Sequence, residues 1–220
     1  GLLTNVPAAR LFDEFLKLFQ GGQAEATFDL LREYGLFEQL FPATEQEFLI
    51  DEDFRNFIRA ALQNTDRRVA DGKSVTPMFL LGVFLWAPVC RIAAMRREEE
   101  KMTDSQSLAL AAYEVAGEQQ RRVSIPKRFT VPMREMMALQ PRFYATQGRR
   151  AMNLLEHRRF RAAYDFMMLL AEIGRVDPDI AAFWTEVQSM SNDQRMQRFQ
   201  VQAKARKRRR RRKRKSESSG

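Results

Sequence analysis

Two short acidic triplets, Asp51-Glu52-Asp53 and Asp177-Pro178-Asp179, are where this sequence could hold a divalent metal on paired carboxylates, as two-metal phosphoryl chemistry requires. Their surroundings argue against it. The first triplet falls inside a run of helical spacing. The second opens a helix, with Asp177 at the cap and Pro178 at the first helical position. His157 is the only histidine and Cys90 the only cysteine, so a zinc site lacks ligands. The same scarcity leaves no arguable Ser-His-Asp or Cys-His nucleophile. No glycine-rich loop leads into a Lys-Ser or Lys-Thr pair, and Gly21-Gly22 ends a helical pattern. Independent catalysis by these 220 residues is not expected, and neither a metal nor a cofactor is expected to reside on them.

Positive charge is the other chemical resource. The chain carries a formal net charge of +9, and 11 of its 37 basic residues lie between Lys204 and Lys215. Without that run the balance is near neutral, yet it is polarised. Residues 1 to 120 hold 12 bases against 19 acids, whereas Arg121 to Arg161 holds 11 bases against Glu135 and Glu156. Such a layout offers one face to a polyanion. Lys127, Arg128, Arg149, Arg150, Arg158, Arg159 and Arg161 form the candidate set on the folded part, some of them tied to structural acids such as Asp165. Lys204, Arg206, Lys207, Arg208, Arg209, Arg210, Arg211, Arg212, Lys213, Arg214 and Lys215 add a sequence-indifferent grip. Phe143 and Tyr144, flanked by Arg142 and by Arg149 and Arg150, have the interleaving of rings and cations that suits a single strand. The other Phe and Met residues sit at core spacing.

The elements that must position these residues are helical throughout, so the expected fold class is all-α. One multi-helix body is expected, with neck and body helices over 1–120, an arginine-rich region over 121–202 packed on the same body, and a disordered basic tail over 203–220. Apolar residues at three and four spacing, with Pro at starts and Gly at ends, predict helices from Pro7 to Phe19, Gln23 to Tyr34 and Glu47 to about Val69. A short turn over Leu36 to Phe41 is closed by Pro42. The longest apolar stretch, Pro77 to Cys90, reads as the central core helix, capped by Thr76 and interrupted by Pro88; it is too short to span a bilayer. Asp104 or Ser105 should cap the next helix. Beyond Arg122, Pro126, Pro132 and Pro141 should divide the chain into short pieces, ahead of helices over Arg149 to Leu155, Phe160 to Ile173 and Pro178 to about Phe199.

Two segments carry a family resemblance. Arg10-Leu-Phe-Asp-Glu-Phe-Leu-Lys-Leu-Phe19, continuing to Leu31-Arg-Glu-Tyr-Gly-Leu-Phe37 and Leu40-Phe-Pro42, resembles the neck-to-body helices of bacterial class II nucleotidyltransferases. There an Arg-x-x-x-Glu helix, matched by Arg10 and Glu14, braces the joint to the catalytic head. Gln147-Gly-Arg-Arg150, with Leu154-Leu-Glu-His-Arg-Arg-Phe-Arg-Ala-Ala-Tyr-Asp-Phe166, Ala171-Glu172 and Phe183-Trp184, is similar to the arginine-rich carboxyl-terminal region of bacterial poly(A) polymerases. CCA-adding enzymes lack that region.

The resemblance implies ATP-dependent addition of adenylate to RNA 3′ ends in mRNA processing and decay. ATP and Mg2+ would belong to a catalytic head whose Gly-Gly or Gly-Ser pair and strand-borne Asp-x-Asp these residues do not supply. It further implies a cytoplasmic monomer that takes RNA 3′ ends, and an RNA helicase or endonuclease of decay as a protein partner. A CCA-adding body is one rival reading; a non-enzymatic adaptor that recruits such a helicase or nuclease is the other.

Overall fold

The computed structural model describes residues 7–199. Every regular element among them is helical, with no strand. The order is α1 (Ala8–Phe19), α2 (Ala24–Glu33), α3 (Leu36–Leu40), α4 (Pro42–Glu47), α5 (Glu52–Ala70), α6 (Pro77–Glu100), α7 (Asp104–Arg122) and α8 (Lys127–Ala138). A 3-10 turn (Gln140–Tyr144), α9 (Gly148–Leu155), α10 (Phe160–Glu172) and α11 (Pro178–Ser189) come next, and residues 192–199 are also helical. The disordered tail expected from residue 203 lies outside the described residues.

α6 is the axis of the body. By length and composition it could cross a bilayer, but Leu80, Leu81, Val83, Phe84, Leu85 and Val89 are all fully buried within this chain. α4, α5, α7, α8 and α10 each pack against it. The Phe84 ring is central to a phenylalanine cluster. It meets Phe19 and Phe41 at 5.2 Å, Phe37 at 5.4 Å, Phe15 at 5.7 Å and Phe28 at 6.3 Å between centroids, so α1 to α4 are sealed onto α6. Edge-on and tilted ring pairs of this kind add about 0.5–1.5 kcal/mol each beyond burial. On the opposite side Gly82 lets α8 come close, since a Cβ there would stand 2.5 Å from Met136 Cε.

Pro88 does not interrupt α6; the helix runs through it to Glu100. A proline nitrogen cannot donate to the carbonyl four residues back, here that of Phe84. The buried Thr44 hydroxyl of α4 takes the missing donor's place, at 2.8 Å from the Phe84 oxygen. Thr44→Val keeps the shape and removes the donor. It is expected to cost about 1–3 kcal/mol, the penalty of a buried carbonyl without a partner. Chemical denaturation of the parent and the variant measures it, and equal midpoints would refute this account of Pro88.

Local hydrogen bonding moves several helix boundaries away from the sequence expectation. The helix predicted over Glu47 to Val69 starts later, at Glu52, since Glu47 is the last residue of α4. Asp51 accepts the Phe54 N–H at 3.3 Å and so caps α5, and Leu49 and Ile50 are exposed in the break before it. α7 is capped by Thr103 and not by Asp104 or Ser105: its hydroxyl and the Gln106 side chain reciprocate across the first turn. Leu36 to Leu40 forms a helical turn. α2 has no cap of its own, and Asp66 of α5 accepts the Ala24 and Glu25 N–H groups at 2.6 and 3.2 Å. Pro132 sits within α8, where the carbonyl it leaves without a donor belongs to the exposed Arg128 of the first turn.

The carboxyl-terminal half is anchored by Trp184. Its Nε1 donates to the Phe143 carbonyl at 2.8 Å, and its ring meets Phe143, Phe160 and Phe183 at 5.3 to 5.7 Å. This ties the 3-10 turn to α10 and α11. One hydrophobic cluster extends from Phe12 to Phe199.

Candidate nucleic-acid interface

Three successive helices begin with cations. Lys127 and Arg128 are the first two residues of α8, and Arg149 and Arg150 the second and third of α9. Arg158 and Arg159 immediately precede α10, whose second residue is Arg161. None of these first turns contains an acid, whereas those of α2, α3, α4, α5, α7 and α11 do. The amino end of a helix carries roughly half a positive charge in its unpaired N–H groups. Basic side chains there are locally unfavourable unless an anion docks. Gly148, at φ +65°, supplies the left-handed residue from which α9 starts.

The structure divides the seven candidate residues. Lys127, Arg128, Arg149 and Arg150 are exposed and have no carboxylate partner among the described residues. Arg158 and Arg159 share Glu135 of α8, and Arg161 pairs with Asp165 at 2.9 Å. Burial alone would raise the Glu135 carboxyl, but hydrogen bonds from Arg159 and Arg158 outweigh it and hold the group below the usual carboxylate range. Two guanidinium groups against one carboxylate still leave net positive charge. Arg158, Arg159 and Arg161 line a cleft of about 280 Å³ that Arg68 of α5 joins. Arg68 could not be found from the sequence, because it lies in the acidic half and only the fold brings α5 to α10. Lys127 lies elsewhere, in a groove between α7 and α8. The basic residues from Lys204 to Lys215 are outside the described residues.

One expectation needs correction. Phe143 is not available for stacking: it is fully buried against Trp184, and only its neighbour Tyr144 reaches solvent. Within this chain Glu14 accepts from Lys17 at 3.0 Å, not from Arg10. A Glu placed amino-terminal to its cation is the favourable order on a helix, and the Arg10-to-Glu14 order is the reverse.

The remaining candidate groups have structural roles. Asp51 and Asp53 both receive Arg175, at 2.8 and 3.1 Å, and Asp177 caps α11 through the Asp179 N–H at 2.9 Å. Burial pushes the Cys90 thiol up to about 12, leaving it un-ionised and unreactive. His157 Nδ1 accepts the Arg159 N–H at 3.1 Å, at the start of α10, a role open only to the neutral ring.

Burial first, then the neighbouring Arg142, lowers the His157 pKa below its ordinary 6.5. The unfolded chain therefore takes the proton first. The stability this group contributes is present above about pH 6.5 and is lost as pH falls through the lower folded value. Melting temperatures from pH 7.5 down to 5.5 should fall less for His157→Asn, which keeps an acceptor that does not titrate. Identical slopes would rule out the His157 contribution.

Two family models match parts of the chain. Residues 100–216 match the family model described as "Polymerase A arginine-rich C-terminus". Residues 1–48 match "Probable RNA and SrmB- binding site of polymerase A". The chain is 40% identical over 204 residues to Poly(A) polymerase I of Haemophilus influenzae, covering 91% of this chain and 45% of that protein. It is 42% identical to Poly(A) polymerase I of Escherichia coli O6:H1, with 79% and 38% covered. With that of Salmonella typhimurium it shares 38%, with 86% and 41% covered. The chain thus spans less than half the length of these curated relatives. Since the arginine-rich model alone accounts for more than half of its residues, the chain belongs to the bacterial poly(A) polymerase family, with residues 100–216 corresponding to the arginine-rich carboxyl terminus.

Proposed function

We propose that this chain holds RNA for a polynucleotide adenylyltransferase, presenting the 3′ end to a nucleotide site elsewhere in the polymerase. The observation that carries the reading is the run of cationic helix openings at α8, α9 and α10, which local helix physics disfavours and a phosphate backbone would offset. The contribution to catalysis is one of proximity: a held 3′ end meets its nucleotide without a separate encounter. ATP and Mg2+ belong to that other site, and the 220 residues bind RNA without transferring adenylate. The setting is the cytoplasm, in mRNA processing and decay.

Charge reversal at Arg149 and Arg150 tests this, since both are exposed and unpaired. The double variant should fold normally, bind single-stranded RNA about tenfold more weakly or worse near physiological salt, and lower turnover in the complete polymerase. Unchanged affinity and turnover would defeat the proposal. The description matched by residues 1–48 names SrmB beside RNA, which favours a second reading in which this segment also docks that protein. Capture of SrmB that survives ribonuclease treatment supports that reading, and its loss refutes it.

A further inference from the structure

The groove between α7 and α8, about 1080 Å³ and open to solvent, is built from two facing stripes. Along α7 stand Tyr113, Gly117 and Arg121 at four-residue spacing; along α8 stand Lys127, Val131 and Arg134. Tyr113 is 63% exposed, and the Arg134 guanidinium carbon lies 5.1 Å from its ring centre, within cation–π range. One turn further along α7, Gly117 has no side chain, and nothing lies within 4 Å of where a Cβ would be. The tyrosine is therefore flanked by an open slot over Gly117, where no side chain stands.

The electrostatics are unusual for a surface groove. Arg134 is half-buried, and among the described residues it has neither a carboxylate partner nor a hydrogen bond. Its Nε is buried without a partner. The two acids on the wall are already paired with other arginines, Glu114 with Arg96 at 2.9 Å and Glu118 with Arg121 at 3.0 Å. A partly desolvated, unneutralised guanidinium is costly on its own, and so is a large ring left in water. A ligand with one flat face and one negative charge resolves both. An unpaired nucleotide has both features; a duplex, with its bases stacked inside, offers only the charge.

Resting on the reading of this chain as an RNA-binding module, the structure assigns to this groove a single unpaired RNA base. The base lies in the slot over Gly117, stacks against the Tyr113–Arg134 pair, and has its phosphate on Lys127. The site is separate from the cleft of Arg68, Arg158, Arg159 and Arg161, and it contributes stacking where that cleft contributes charge.

The test uses the 220-residue chain and a single-stranded RNA oligonucleotide carrying one 2-aminopurine, with a duplex of equal length for comparison. Gly117→Leu fills the slot with no side chain to collide with and replaces a helix-interior glycine, so it should melt no lower than the parent. It should bind the single strand about tenfold more weakly, as loss of one stacked base predicts. It should also lose the 2-aminopurine signal change, with salt dependence and duplex affinity unchanged. Tyr113→Leu should behave likewise, Tyr113→Phe should restore binding, and Arg134→Lys, which keeps charge and loses the planar face, should not. If the parent binds and all four variants bind as it does, the base site is refuted while the RNA reading stands. If the parent binds no RNA at any salt concentration, both fall.

Discussion

Truncation after Ala203 should remove most of the affinity for RNA at low salt and flatten the dependence of affinity on salt. Eleven basic residues lie between Lys204 and Lys215. Each phosphate neutralised on a single strand adds about 0.7 to the slope of log affinity against log salt, so the run can supply a slope of up to about 8. Between 50 and 200 mM salt that corresponds to almost five orders of magnitude in affinity at the upper limit, about 4.6. The loss should be the same for all RNA sequences, since contacts to phosphates carry no sequence information. Near physiological salt the truncated chain should still bind, through Lys127, Arg128, Arg149 and Arg150, which stand on helices. Anisotropy titrations at several salt concentrations give both slopes. A truncation that leaves the slope unaltered would show that the tail makes no phosphate contact.

Phe84→Ala should be the most destabilising single truncation of a side chain in the body, at about 3–5 kcal/mol. The ring is fully buried and touches five other phenylalanines from α1 to α4, so the void cannot close without unseating all of them. Against a total of roughly 5–15 kcal/mol for a domain, that is a large share. Trp86, two residues on, should be milder. The sequence places it in the same apolar run, but it is only partly buried and lines two open cavities, so water can fill the space it leaves. Thermal melts of both variants decide the ranking, and equal losses would place the core elsewhere.

The all-helical class was legible because period and punctuation agreed: apolar residues at three and four spacing, prolines at starts, glycines at ends. Anything settled between elements distant in sequence could not be read. Pro88 looks like a stop until Thr44 supplies the donor that its own backbone lacks, and α2 looks uncapped until Asp66 arrives from α5. The basic stretch was legible as charge, but not the partition within it. Asp165 stands four residues beyond Arg161 on one helix and could be read as its partner, but Arg158 and Arg159 resemble Arg149 and Arg150 in sequence, and only the fold sets Glu135 beside them. Phe143 and Tyr144 are neighbours of similar type, and the 3-10 turn sends one inward to Trp184 and the other outward. The Tyr113–Arg134 pair gives no local signal, since it joins two helices across a groove.

Thr44 and Pro88 never touch the same hydrogen bond from both ends, yet each is tolerable only because of a carbonyl that belongs to Phe84. That imposes an order on their inheritance. A lineage that loses the threonine hydroxyl first strands the carbonyl beside a residue unable to serve it. A lineage that first exchanges the proline for a residue with an N–H restores the ordinary helical bond, and position 44 is then free to drift. Among descendants, a proline at 88 without a hydroxyl at 44 should be the scarce combination, and the path between the two sequences should run in one direction far more often than the other.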